Sequence, residues 1–208
     1  MKLYDYYRSS ASYRVRIVLE LKGVDVERVP VDLRAGEQGA ADYRALNPQG
    51  LVPALVTSDG VLGQSLAIIE YLDERWPEPP LLPERPFDRA RMRSLAQTIA
   101  CDVHPLNNLR VLNYLRGPLG QDESSVQAWM GTWIQRGFEA VECEAPEAGY
   151  FGGEGPMLAD VVLVPQMYNA RRFEVDLTSF PRLVALDARL RALPAFERAA
   201  PERVAPAL

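Results

Sequence analysis

The chain has one histidine, His104, two cysteines, Cys101 and Cys143, and only two lysines, Lys2 and Lys22. A lone imidazole excludes a histidine-based metal cluster, so no metal site is expected. The cysteines are too few for a disulfide scaffold and belong to no paired motif of the metal or redox type. A serine-histidine-aspartate triad would have to use His104, and no nucleophile elbow surrounds it. No apolar run approaches the length of a membrane span, and the first residues lack a basic stretch followed by a hydrophobic signal core, so a cytoplasmic location is the expectation. A formal net charge of −5 argues against a general nucleic-acid or membrane-surface binder, although arginine clusters can still hold small acidic ligands.

What remains is a globular chain. Its 208 residues, 48% of them hydrophobic, suffice for one large domain or two small ones. Residues 2–6 read as a strand, 12–22 as a helix and 26–31 as a second strand, a βαβ opening. After the turn Asn47-Pro48-Gln49-Gly50, residues 52–56 and 61–62 read as a hairpin joined through Asp59-Gly60. Pro53 stands at the strand start, and a cis Val52-Pro53 bond would leave the Val52 backbone facing a ligand. Ser65 begins a helix with Leu66, Ile68, Ile69 and Leu72 at helical spacing. The prolines between Pro77 and Pro86 cannot sit inside a regular element and mark a domain boundary, giving an α/β domain over 1–80 and an all-α domain over 86–208. Helical periodicity runs over 88–115, 123–143, 158–170 and 183–193. Trp129, Trp133 and Phe138 fit a core stripe, and Cys101 is expected to pack inside its helix.

The most informative segment is Arg8-Ser9-Ser10-Ala11-Ser12, three hydroxyls at a strand-to-helix junction. A helix start offers unpaired N–H groups and the positive end of the dipole, so it can hold an anion such as a thiolate. An N-cap alone would also favour serine there. Gln64-Ser65 forms a second polar helix start. Arg14 and Arg16 read as solvated or paired, with no chemistry assigned.

Taken together, these motifs resemble the cytosolic glutathione transferases. Arg8-Ser9-Ser10-Ala11-Ser12-Tyr13-Arg14-Val15-Arg16 looks like the Ser-Ser-Cys-Ser signature of the zeta class. The same class is matched by Asn47-Pro48 with Val52-Pro53-Ala54-Leu55, by Gln64-Ser65-Leu66-Ala67-Ile68-Ile69, by Asp102-Val103-His104-Pro105-Leu106-Asn107-Asn108-Leu109, and by the late Leu158-Ala159-Asp160 and Val164-Pro165-Gln166. Two departures stand out. Ala11 replaces the usual cysteine, and Met157 stands where the class has Thr or Ser before Asp160, so half of a reciprocal capping box is missing.

The resemblance implies a thioredoxin-like N-terminal domain, an all-α C-terminal domain, glutathione as cofactor and a homodimer. It also implies cis–trans isomerisation of a maleyl keto acid, maleylacetoacetate, with maleylpyruvate of the gentisate route as the alternative. A general transferase or dehalogenase acting on xenobiotics or α-haloacids needs only the glutathione half of the site. Carried onto this sequence, Ser9 holds the thiolate, assisted by Ser10 and the N–H groups near Ala11. The Val52 backbone, at Pro53, pairs with the cysteinyl part, and Gln64 and Ser65 hold the γ-glutamyl end. Gln38 and Gln49 are candidates for the remaining polar contacts, with solvated loop glutamine as their other reading. Arg8, Arg110 and Arg172 suit the carboxylates of the substrate, since planar guanidinium groups match them. For Arg110 and Arg172 a solvated helix charge is the other reading. His104 reads as a hydrogen-bond donor to glutathione or substrate, or else as a structural histidine. Asn108 is placed one helical turn on, along the same face.

Overall fold

Helix α1 (Ser10–Lys22) is buried from Ser12 to Leu19 without a break, which no amphipathic surface helix would be. It crosses between two parallel strands, β1 (Lys2–Asp5) and β2 (Glu27–Pro30), with Lys2 opposite Glu27. Gly23, at φ 62°, ends the helix in the left-handed conformation that glycine adopts without steric cost. The sheet is completed by β3 (Ala54–Thr57) and β4 (Gly60–Gly63), an antiparallel hairpin, in the order β2-β1-β3-β4. The strand begins after Pro53 and not at Val52, because proline has no N–H for the ladder. A short helix α2 (Ala41–Leu46), too brief to show periodicity in the sequence, precedes the turn, and α3 (Ser65–Arg75) follows the hairpin. The structure, a computed structural model, describes residues 1–205.

The chain divides into two units, at Pro80/Leu81 and again at Arg191/Ala192. The expectation that residues 86–208 form one helical domain is therefore corrected at its C-terminal end. Helices α9 (Pro194–Ala199) and α10 (Pro201–Val204) belong to the first unit, and α9 packs on α1. The reason is physical. Ala195, Phe196 and Ala199 form a small apolar face, Tyr13 Oη donates to the Phe196 carbonyl at 3.4 Å, and Arg16 Nε donates to the Ala199 carbonyl at 3.0 Å.

Of the two readings for the arginines of α1, solvated or paired, burial excludes the first: Arg14 is 1% and Arg16 3% exposed. Arg16 also donates to the Asp5 carboxylate at 3.3 Å and to the Tyr7 carbonyl at 2.9 Å, and Arg28 reaches the same carboxylate at 2.9 Å. Burial lowers the affinity of Arg16 for its proton, while Asp5 opposes that change.

In the second unit α4 (Pro86–Gln97), α5 (Leu109–Arg116), α6 (Glu123–Glu144) and α8 (Pro181–Arg191) accompany α7 (Leu158–Arg172). Helix α7 is buried along nearly its whole length, as its almost unbroken apolar run dictates. Periodicity alone merges α4 and α5 into one helix over 88–115. The backbone instead passes through a wide π turn, Thr98–Val103, and a tight 3-10 turn, His104–Asn107. Pro105 has no N–H to continue the α pattern, and Asn108 is extended at ψ 146°. The turns put Cys101 in solvent, contrary to the expected packing. Side chains of α6 hold the segment in place. Trp129 Nε1 donates to the Leu106 carbonyl at 2.9 Å, and Gly137 allows Val103 so close that an added Cβ would lie 2.0 Å from Val103 Cγ2. Among the described residues no helix is long and apolar enough to cross a membrane.

Asp160, fully buried, accepts N–H bonds from Met157 at 2.9 Å and Phe151 at 3.2 Å, so the acidic half of the capping box survives. Burial nevertheless pushes its carboxyl up to about 6, against the pull of those bonds.

Gly137→Ala is expected to destabilise the protein by about 1–3 kcal/mol, because the stiff Val103 side chain must move; equilibrium urea unfolding checks it. For Asp160 the folded-state carboxyl binds its proton more tightly than the unfolded one, so its stabilising contribution is complete below pH ~4 and disappears as pH rises to about 6. Wild-type stability relative to Asp160→Asn should accordingly fall by about 3 kcal/mol across that window. A difference independent of pH would contradict the assignment.

Candidate functional site

Ser9 is the N-cap of α1, with φ −68° and ψ 120°, and its Oγ accepts the Ser12 N–H at 3.2 Å. Capping and ligand binding do not compete here. A hydroxyl accepts with a lone pair and still has its proton to donate. Ser9 and Ala11 are partly exposed, whereas Ser10 is buried as the first helical residue. Arg8 is exposed, its guanidinium 5.1 Å from the Tyr7 ring centre.

The second wall is the turn before β3. Tyr43 Oη and Asn47 Nδ2 both donate to the Leu51 carbonyl, at 2.7 and 2.8 Å. Val52, the next residue, precedes the ladder, and its backbone N–H and C=O have no protein partner among the described residues. It is nonetheless buried at 8% exposure, and the Val52-Pro53 bond is cis. Backbone polar groups without protein partners in so enclosed a residue are rare and point to a ligand with peptide-like groups.

The third element is the start of α3. Gln64 adopts φ 65° and ψ 115°, a region unfavourable for a residue with a Cβ, of the kind held at ligand-binding positions. Its amide donates to Gln49 Oε1 at 2.9 Å, which ties α3 to the Asn47–Gly50 turn. Gly50 in turn lies against the Gln38 backbone, where a Cβ would come 2.9 Å from the carbonyl oxygen. The Gln38 Oε1 is buried without a partner. Ser65 opens α3, buried, and its Oγ accepts from Arg14 Nη1 at 3.2 Å. Arg14 thus joins the two helix starts. A charge among Tyr13, Val15, Ile17 and Val18 is itself a sign of burial against a partner.

In the second unit, His104 begins the 3-10 turn and is half-buried. Asn108 is not on a helix with it. Its Oδ1 caps α5 by accepting the Arg110 N–H at 3.2 Å, so the expected shared helical face is corrected. Arg110 is exposed in the first turn of α5. Arg171 is engaged by the buried Asp187 at 2.8 Å, and Arg172 is exposed with its guanidinium 4.5 Å from the Phe173 ring centre. Burial raises the Asp187 carboxyl, and the cations Arg171 and Arg191 oppose the rise. Among the described residues no cluster of His, Cys, Asp or Glu has the makings of a metal site.

Residues 1–74 match the family model described as glutathione S-transferase, N-terminal domain. The chain is 51% identical over 204 residues to a maleylacetoacetate isomerase of Pseudomonas aeruginosa, covering 97% of this chain and 96% of that one. Among solved structures, a bacterial maleylpyruvate isomerase described as a zeta-class glutathione S-transferase superposes with a TM-score of 0.97, at 50% identity over the full length of both chains. A maleylacetoacetate isomerase of Methylobacterium extorquens AM1, solved with malonate and glutathione bound, gives 0.94 at 40% identity, again over the whole of each chain. With the serine helix start, the Val52-Pro53 turn and the Gln64-Ser65 helix start in place, this chain belongs to the zeta class of the glutathione transferase family.

Proposed function

We propose that the protein is a glutathione-dependent cis–trans isomerase that converts maleylacetoacetate to fumarylacetoacetate. The observation carrying this reading is the Val52 backbone, without a protein partner among the described residues, in the same unit as two polar helix starts. A tripeptide with a thiol and two carboxylates fits that arrangement. Its peptide groups match the free Val52 N–H and C=O, and its anionic groups match the positive ends of α1 and α3. Gln38 Oε1 supplies an acceptor still in need of a donor.

Bound glutathione would supply a thiolate, a nucleophile whose reversible addition to the cis double bond would free rotation about it. The protein's own part is electrostatic. Ser9 Oγ donates to the sulfur while accepting from Ser12, and the first-turn N–H groups at Ser10 and Ala11 add their partial charge, which favours the ionised thiol. Ala11 has no thiol to contribute, so this burden rests on the hydroxyl and the backbone. Arg8, Arg110 and Arg172 hold the carboxylates of the substrate and the negative charge that develops on its oxygens. His104 donates a further hydrogen bond, while Asn108 acts through its cap on α5.

The reading extends to a cytoplasmic homodimer serving tyrosine degradation. Support for the dimer comes from the family and from exposed apolar side chains, Phe87 at 72% and Val61 at 43% exposure. Turnover of maleylacetoacetate and of maleylpyruvate by the pure protein with glutathione is the direct test. The expected result is faster turnover of maleylacetoacetate, and no turnover of either would overturn the assignment.

Ser9→Ala is expected to raise the thiol pKa of bound glutathione, followed by thiolate absorbance against pH, and to slow isomerisation by about ten- to a hundredfold. Arg110→Ala and Arg172→Ala should cut isomerase kcat/KM by at least about tenfold while sparing conjugation of an uncharged aryl halide, measured side by side. Equal losses in the two assays would place these arginines outside substrate recognition.

A further inference from the structure

We infer that Arg14 is a positioning residue for glutathione recognition: by donating to Ser65 Oγ from beneath the site, it turns the Ser65 hydroxyl into an obligatory donor toward the α-carboxylate of the γ-glutamyl end. The inference rests on the assignment of Ser65 to that end of the ligand.

Arg14 Nη1 lies 3.2 Å from Ser65 Oγ, and the two residues are 1% and 6% exposed. A guanidinium has donors only, so in this bond the serine oxygen must accept. The hydroxyl proton then points away from the cation, where an acceptor-only group such as a carboxylate satisfies it. A serine without that neighbour turns its hydroxyl freely and can present either a donor or a lone pair.

Charge acts in the same direction. Arg14 is one helical turn beyond Ser10 on the first helix, and α1 packs directly on α3. Its positive charge is thereby added to the positive N-terminal end of α3, which begins at Ser65. Between side chains as buried as Arg14 and Ser65, a cation one hydroxyl away from the ligand adds attraction for an anion without touching it. Arginine suits this position because it remains charged where burial would discharge a lysine. The result is selectivity for the α-carboxylate itself, and not for the thiol or the peptide groups, which lie at Ser9 and Val52.

The test is calorimetric titration of the full-length protein with glutathione and with γ-aminobutyryl-cysteinylglycine, which keeps the amine, thiol and peptide groups but lacks the α-carboxylate. Arg14→Met should weaken glutathione binding about tenfold and leave the analogue within about twofold, the size of one lost charge-assisted hydrogen bond. In a Ser65→Ala background the same substitution should cost less than it does alone, since the two side chains act in part as one unit and only the through-space attraction of the cation is left to lose. Equal weakening toward both ligands, or additive losses in the double variant, would overturn the inference. If Arg14→Met fails to fold by circular dichroism, Arg14→Lys takes its place. Its shorter reach and its loss of charge on burial predict a loss that is again confined to glutathione, and a loss shared with the analogue counts against the role. Should Ser65→Ala alone leave glutathione affinity unchanged, the site assignment fails, and the inference with it; a Ser65 effect without an Arg14 effect removes the inference alone.

Discussion

Helix α1 is buried along most of its length, and two guanidinium groups inside it fix what surrounds it. Arg16 gathers the Asp5 carboxylate of β1, the Tyr7 carbonyl and the Ala199 carbonyl of the C-terminal helix, while Arg14 reaches Ser65 at the start of α3. A buried arginine is costly unless its donors are taken up, so each partner is held where it is by the penalty for leaving. The serine-bearing N-terminus of α1 is therefore set by the sheet beneath it and by helices from both ends of the chain. A site that must lower a thiol pKa needs that rigidity, because hydrogen bonds to a developing charge lose their value when the donors can drift.

The helical unit shows the complementary device. Its segment from Thr98 to Asn108 abandons the α pattern for a wide turn and then a tight one, and only packing holds it there: Trp129 on the Leu106 carbonyl, Gly137 against Val103, and Asn107 Nδ2 on the Val103 carbonyl at 3.2 Å. Irregular turns inside helices are frequent at functional positions because they re-aim side chains that a continuous helix would stack on one face. His104 and Arg110 are oriented by this break, and Asn108 becomes the cap that restarts the helix.

The parts of the site that are legible in the sequence share one property: their geometry is local. Ser9 caps the helix that follows it, Pro53 limits its own strand, and Gln64-Ser65 opens its own helix, all within a few residues of chain. The residues whose partners the sequence does not disclose act over long separations. Arg14 meets Ser65 across 51 residues and Arg16 meets Ala199 across 183, so no window along the chain contains either pair. Cys101 is exposed where the sequence predicts packing for a related reason, since periodicity assumes 3.6 residues per turn and the wide turn departs from it.

Hydrophobic period, turn chemistry and a set of short motifs were enough to establish an α/β half, a helical half and the family, because each depends on neighbours in sequence. Tertiary structure decided which charges are buried, which half receives the C-terminal helices, and how the His104 segment turns. Those outcomes depend on desolvation and close packing between distant segments, whose energies exist only once the chain has brought the segments together.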